Sequence, residues 1–207
     1  MTESAGAEAG AETVLQALRA RRSVGRVRPE QPPRALVERV IEAATWAPNH
    51  YHTKPWRFVV VAGEGRRALG AVMADALRER LEEPGGERAA ALLEKERNKP
   101  LRAPVLIAVA VVPSPEPRVV ETEEICAGAA GVQNMLLAAE ALGLGAMWRT
   151  GDAAREPAVK RFLGLPEDAH LLSFVYLGYP DMAPRREHEG DGRACTTWLG
   201  WEEPADP

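Results

Sequence analysis

Three short segments of this 207-residue chain gather the side chains best suited to chemistry. Arg21-Arg22-Ser23 sets two guanidinium forks beside a hydroxyl, a combination that can neutralise a terminal phosphate and hydrogen-bond it bidentately. The same arginines would equally complement the dipole of a helix ending there. The second segment, Ala47-Pro48-Asn49-His50-Tyr51-His52-Thr53-Lys54-Pro55-Trp56, is a polar loop bracketed by prolines. Such a loop can hydrogen-bond a heteroaromatic ring, or simply turn at the surface. His50 and His52 have no acidic or cysteine partner nearby, so no metal site is expected. In the third, Gly145-Ala146-Met147-Trp148-Arg149-Thr150-Gly151, Trp148 can bury its ring while Arg149 emerges at a strand end. A core tryptophan followed by an exposed arginine would read the same way.

Several familiar devices are missing. The sequence holds no Gly-x-Gly-x-x-Gly after its first strand, no phosphate-binding P-loop, no Gly-x-Ser-x-Gly elbow and no His-Glu-x-x-His. An enzyme with no evident nucleophile or metal often leaves the chemistry to a bound cofactor. No catalytic side chain is therefore assigned.

Periodicity supplies the elements that must position these groups. Val14, Leu15 and Leu18 share a helical face, and that helix should fray at Arg21-Arg22-Ser23. A second helix begins near Pro33, carries Leu36, Val37, Val40, Ile41 and Ala44 on one stripe, and is broken by Pro48. Residues 49–54 read as an extended loop leading into a β-branched strand from Trp56 to Val61. Residues 66–81 read as a surface helix and 87–97 as a more charged one, with Gly85-Gly86 as a hinge should the pair act as a lid. Residues 105–112 are apolar enough for a strand buried on both faces. A long helix from Glu121 to Leu142 stops at Gly143, and short strands at 146–148 and 171–177 flank a helix near 157–163. The sum is an α+β or α/β sandwich, about four strands in a central sheet covered by helices.

Composition narrows the classes. With 45% hydrophobic and 27% charged residues the chain has the balance of a soluble globular protein. A net charge of -4 argues against a nucleic-acid partner. Cys126 and Cys195 lack metal-type spacing and read as buried or incidental thiols of a reducing compartment. Residues 125–148 are nearly free of charge, but Glu140, four glycines and Gln133-Asn134 interrupt them; a buried helix running into a strand is expected, not a membrane span. Residues 1–11, small and acidic, are expected as a disordered tail with no secretory leader, residues 12–182 as one domain, and 183–207 as a C-terminal extension. In that extension Trp198, Leu199 and Trp201 need an apolar cover. A cytoplasmic location fits this set.

In this order and spacing the segments resemble the FMN-dependent nitroreductase family, from about Thr13 to Pro180. The resemblance rests on Arg-Arg-Ser-Val at 21–24, Ala-Pro-x(6)-Pro-Trp at 47–56, Leu-Gly-Leu-Gly at 142–145 and Tyr-Leu-Gly-Tyr-Pro at 176–180. Trp-Arg-Thr-Gly together with Asn-His is most similar to a small YdjA-like bacterial subgroup. The resemblance implies a mostly antiparallel sheet and a homodimer with FMN at the interface, touched by both copies. Trp198, Leu199 and Trp201, with the charge-poor stretch 125–142, add the expectation of a C-terminal arm, residues 183–201, that lies across the partner and does not fold back on its own subunit. The resemblance also implies that Arg21, Arg22 and Ser23 hold the phosphate and ribityl chain, and that His50 and Lys54 meet the flavin from the partner. Trp148, Arg149 and Thr150 would close the ring and phosphate ends, with a nicotinamide contact near residues 138–143. The implied reaction passes hydride from NAD(P)H through flavin to a nitroaromatic, quinone or similar acceptor. Reductive dehalogenation or desaturation on the same fold, and a non-catalytic FMN carrier, are the alternatives.

Two departures stand out. Many members carry glutamine where this chain has Lys54, which adds a cation that would stabilise the reduced ring if it faces N1 and the C2 carbonyl. Gly25 stands before Arg26 in the Arg-Arg-Ser-Val-Arg pattern, which removes support for a third phosphate contact.

Overall fold

The computed structural model describes residues 2–182 and 190–201. Its elements follow the order α1 (Thr2–Ala20), α2 (Arg34–Ala44), β1 (Trp56–Ala62), α3 (Gly65–Arg80), α4 (Glu87–Arg97), β2 (Val105–Val111), α5 (Glu121–Ala141), β3 (Gly145–Arg149), α6 (Pro157–Phe162) and β4 (His170–Gly178). Short 3-10 turns fall at His50–His52, Lys99–Arg102, Asp152–Arg155 and Arg193–Cys195. α1 runs back to Thr2, through the segment expected as a disordered tail. That segment is rich in alanine and glutamate, both strong helix formers, and propensity outweighs its lack of apolar surface.

The four strands pair in the order β1-β2-β4-β3, every pair antiparallel. Central β2 explains why a helix layer covers each face. Its Leu106, Ala108 and Ala110 join a core with Leu69 and Met73 of α3 and Val159 of α6. Its Val105, Ile107 and Val109 join a second core with Val40 of α2 and Val132 and Met135 of α5. All seven β2 residues are consequently buried. α5 ends as expected, with Gly143 at φ 72°, in the left-handed region that favours glycine.

The expected surface helix is deeper than its charge suggested. α3 buries Leu69, Met73, Ala74 and Ala76, and it packs so tightly on α4 that a Cβ at Gly70 would stand 2.1 Å from the Arg97 carbonyl oxygen. α3 and α4 therefore form a wall of the core, which removes the motive for reading them as a lid.

After β4 the chain bridges back, with Val27 opposite Pro180 and the Arg28 amide donating to the Tyr179 carbonyl at 2.8 Å. Residues 183–189, the start of the arm expected to reach a partner, lie outside the described residues. Beyond them Trp198 and Trp201 sit 5.2 Å apart, each 68% exposed, with Leu199 at 91%. Both cysteines are free and exposed, so of the two readings offered for them, buried or incidental, burial is ruled out.

Candidate functional site

The open edge of β3 carries the first group of candidate residues. As α1 ends, residues 21–24 cross to this edge, and the Val24 amide donates to the Ala146 carbonyl at 3.0 Å. Gly145 permits the approach, since a Cβ there would lie 2.7 Å from Val24. Arg22 and Ser23 line a cavity of about 190 Å³ with Gly143, Gly145 and Pro180. The Arg22 guanidinium folds back to donate to the carbonyls of Arg19 and Arg21, so within the chain it closes the end of α1. It also stands at the rim of the cavity. Glu140 and Gly143, from the segment linked to nicotinamide, share this cavity, at the opposite end of β3 from Thr150.

An antiparallel strand directs the peptide groups of alternate residues to the same side. Because the Ala146 carbonyl points off the edge to Val24, the amide and carbonyl of Trp148 point off it too, beyond the last pairing with residues 21–24. The result is a corner that carries Arg22 and Ser23, with Glu140 across the same cavity, followed by an unpaired peptide edge beside the half-buried Trp148 ring and the exposed Thr150. Those are the donors and acceptors a phosphorylated heteroaromatic cofactor requires, and FMN fits that set.

His50 and Lys54 stand elsewhere, before β1 at the opposite edge of the sheet. Three strand spacings separate the two edges, ~14 Å. The expected extended loop instead holds a 3-10 turn at His50–His52, and along it Tyr51, His52 and Lys54 have φ of 57°, 53° and 52°. Such values are strained for residues other than glycine, so other groups must hold the loop. Asn49 Oδ1 accepts from the Lys54 amide at 2.8 Å. The Thr53 hydroxyl donates to Glu124 Oε1 at 2.5 Å, while the Ser114 amide donates to Glu124 Oε2 at 2.7 Å. Glu124 is 2% exposed and lies in the first turns of α5. Lys54 itself is exposed and lines an open hollow of about 500 Å³ with Thr45, Trp46, Trp56 and Phe58.

Arg149 parts company with its neighbours. The pleat turns its side chain to the α3 face, where the guanidinium lies over the Tyr176 ring, 5.3 Å from its centroid. Arg149 therefore meets Lys99, Arg102 and Tyr176, not Arg22 and Ser23. Sequence reading also missed Asn49, Thr53 and Glu124 as supports of the loop. One signal was available: Glu124 opens the otherwise apolar stripe that Ala127, Gly128, Val132 and Met135 continue along α5. Among the described residues no group of three His, Cys, Asp or Glu could hold a metal, and no helix is long and apolar enough to cross a membrane.

This sheet order, with an anion-ready corner at one edge and a propped polar loop at the other, defines a class. The chain belongs to the nitroreductase family, whose profile matches residues 18–179. Among its relatives, the Escherichia coli K12 protein named "Putative NAD(P)H nitroreductase YdjA" is 32% identical over 171 residues, covering 81% of this chain and 88% of that one. Bacillus subtilis YfhC, named in the same way, is 29% identical, covering 81% and 84%. A nitroreductase-like family protein of Bacillus cereus has the same fold, with a TM-score of 0.74 at 25% identity, covering 90% and 96%. A Desulfovibrio desulfuricans protein solved in complex with FMN matches with a TM-score of 0.68 at 26% identity, covering 91% and 98%.

Proposed function

We propose that this chain is an FMN-dependent NAD(P)H oxidoreductase, working as a homodimer in which each FMN is held by both copies. The carrying observation is the division of the candidate groups between two edges of one sheet. Arg22, Ser23 and the Trp148 peptide edge lie at β3, and His50 and Lys54 lie beyond β1. One cofactor can meet both sets only if a second copy brings its loop to the β3 edge of the first.

In that arrangement Arg21, Arg22 and Ser23 hold the phosphate end, and swinging Arg22 off the α1 carbonyls would supply a bidentate fork. The Trp148 amide and carbonyl and the Thr150 hydroxyl orient the ring. His50 and Lys54 of the other copy approach it on a backbone that Asn49 and Glu124 hold rigid. FMN, when bound, accepts hydride from NAD(P)H and passes it to a nitroaromatic, quinone or similar small acceptor. The residues supply placement and field, with no side chain needed as acid or base.

Exposed apolar side chains support the dimer. Val14, Leu15, Leu18, Trp46, Tyr51 and Val60 are all at least 43% exposed, and the C-terminal tryptophans are not covered by their own subunit. Apolar surface of this kind suits an obligate interface. A visible spectrum before and after NAD(P)H tests the central reading. Purified protein should be yellow, release FMN and bleach on addition; failure to take up FMN from excess would reject it, and FMN without bleaching would leave a carrier. For the arm, a chain ended after Ala183 should lose dimer stability and FMN together. A truncated protein that stays dimeric and flavinated would refute the embrace.

A further inference from the structure

Behind the β3 edge, on the α3 face, lies a smaller hollow of about 60 Å³. Met73, Lys99, Arg102, Arg149, Phe174 and Tyr176 enclose it, and Thr150 forms its lip. Three of these side chains are cations. The nearby carboxyl group, Glu96, is engaged by Lys99. Arg102 has no ion pair or hydrogen bond among the described residues, and Arg149 is placed against the face of the Tyr176 ring.

Tyr176 adds a fourth donor to the lining. The residue is only 7% exposed as a whole, and its hydroxyl makes no hydrogen bond among the described residues, so the phenol is free to donate to a group that enters the hollow. Burial raises the Tyr176 pKa above its ordinary value, Arg149 and Arg102 oppose that rise, and Glu96 adds to it. The phenol thus stays protonated near neutrality and can donate. Guanidinium and ammonium groups only donate. The hollow therefore presents donors from four side chains and net positive charge, which suits an acceptor-only ligand.

We propose that Lys99, Arg102, Arg149 and the Tyr176 hydroxyl receive one anionic group, a carboxylate or a phosphate, carried by a reactant whose body passes over Thr150 to the flavin edge. This rests on the oxidoreductase reading above. It gives that site a substrate class, reactants with a single anionic group at one end. Two sources carry such a group, a carboxylated acceptor or the extra phosphate that distinguishes NADPH from NADH.

Binding comes first and does not depend on turnover. Benzoate and inorganic phosphate are titrated into the flavin-loaded protein by calorimetry, for wild type, Arg102→Gln, Arg102→Lys and Tyr176→Phe. Arg102 is exposed, so its replacement should leave the fold intact. Arg102→Gln should weaken binding of at least one anion about tenfold, the effect of losing a charge-assisted hydrogen bond. Arg102→Lys should restore part of it, and Tyr176→Phe should weaken it less. No saturable binding to wild type, or equal binding in wild type and Arg102→Gln, would overturn the proposal. Turnover then assigns the source, through kcat/KM for 4-nitrobenzoate relative to 4-nitrobenzamide with each reductant. A drop in the nitrobenzoate preference in Arg102→Gln assigns the anion to the acceptor. A drop in the NADPH preference over NADH assigns it to the reductant. Neither drop would mean that no reactant uses the pocket, and the proposal would fall. Arg102-dependent anion binding in a protein that NAD(P)H never bleaches would instead count against the oxidoreductase reading alone.

Discussion

At the β3 edge, the groups offered to a cofactor are set by a regular strand, whereas beyond β1 they hang on a loop with three left-handed residues. The strand edge needs no special support, because Trp148 is aimed by the pleat that pairs Met147 with Tyr176. The loop is held from outside, by Asn49 within it and by Glu124 on α5. Left-handed backbone costs about 1–2 kcal/mol at each such residue, so the loop should relax when its supports are removed while the strand edge stays. The two half-sites should therefore fail differently, one by losing contacts and the other by losing shape.

The largest effect is expected from Glu124→Ala. It strands the half-buried Ser114 amide and takes from the Thr53 hydroxyl its shorter hydrogen bond, leaving only the 3.5 Å contact to Asn49, and unmet donors cost about 1–3 kcal/mol each. Chemical denaturation should show a loss of about 3 kcal/mol, and FMN retention should fall although Glu124 is not placed against the cofactor. Unchanged stability would mean that the loop holds itself.

Arg22→Ala should weaken FMN by about 1.5–3 kcal/mol in a fluorescence titration, the scale of a hydrogen bond to a charged group. Arg149→Ala should cost distinctly less, since its guanidinium lies at Tyr176. Equal losses in the two variants would put Arg149 back at the phosphate and dissolve the division drawn here. Asn49→Ala removes the acceptor of the Lys54 amide and should cost about 1 kcal/mol of stability. A thermal melt showing no change would leave Glu124 as the sole support.

Lys54→Gln should have the smallest effect, on the flavin midpoint potential. Losing an exposed cation near the reduced ring should make reduction harder by about 1 kcal/mol, the Coulomb scale in high dielectric. A potential unchanged or raised would show Lys54 facing solvent.

Sequence periodicity carried most of the fold because this chain's strands and helices bury faces that repeat every two or 3.6 residues. The seven apolar residues of β2 and the stripe of α2 are plain examples. Residue types likewise drew attention to Arg22-Ser23 and to the polar loop, two places where the structure sets polar side chains around open hollows. Side-chain direction was the main loss. Arg149 sits between Trp148 and Thr150 in the chain, but alternation along β3 sends it to another pocket. Glu124 is 71 residues from Thr53, and a hydrogen bond across that separation leaves no local pattern. The backbone of residues 51–54 was also hidden, since neither Tyr nor Lys favours left-handed φ and the mild preference of His52 is too weak a signal alone. The depth of α3 was masked by its charged outer face.

The contact at Gly70 bears on how this protein can diversify. No side chain fits between α3 and the Arg97 carbonyl, so position 70 is closed to mutation, and the turn at Lys99–Arg102 that follows α4 inherits a fixed address. Arg102 is exposed and makes no ion pair or hydrogen bond among the described residues, so its chemistry can be exchanged at little cost, whereas a change at half-buried Lys99 must also settle its partner Glu96. A lineage, or a mutant library, could thus rewrite the charge of the small pocket from cationic to neutral or acidic without moving its walls. Selection on new reactants should accumulate changes at positions 99 and 102 long before it touches position 70.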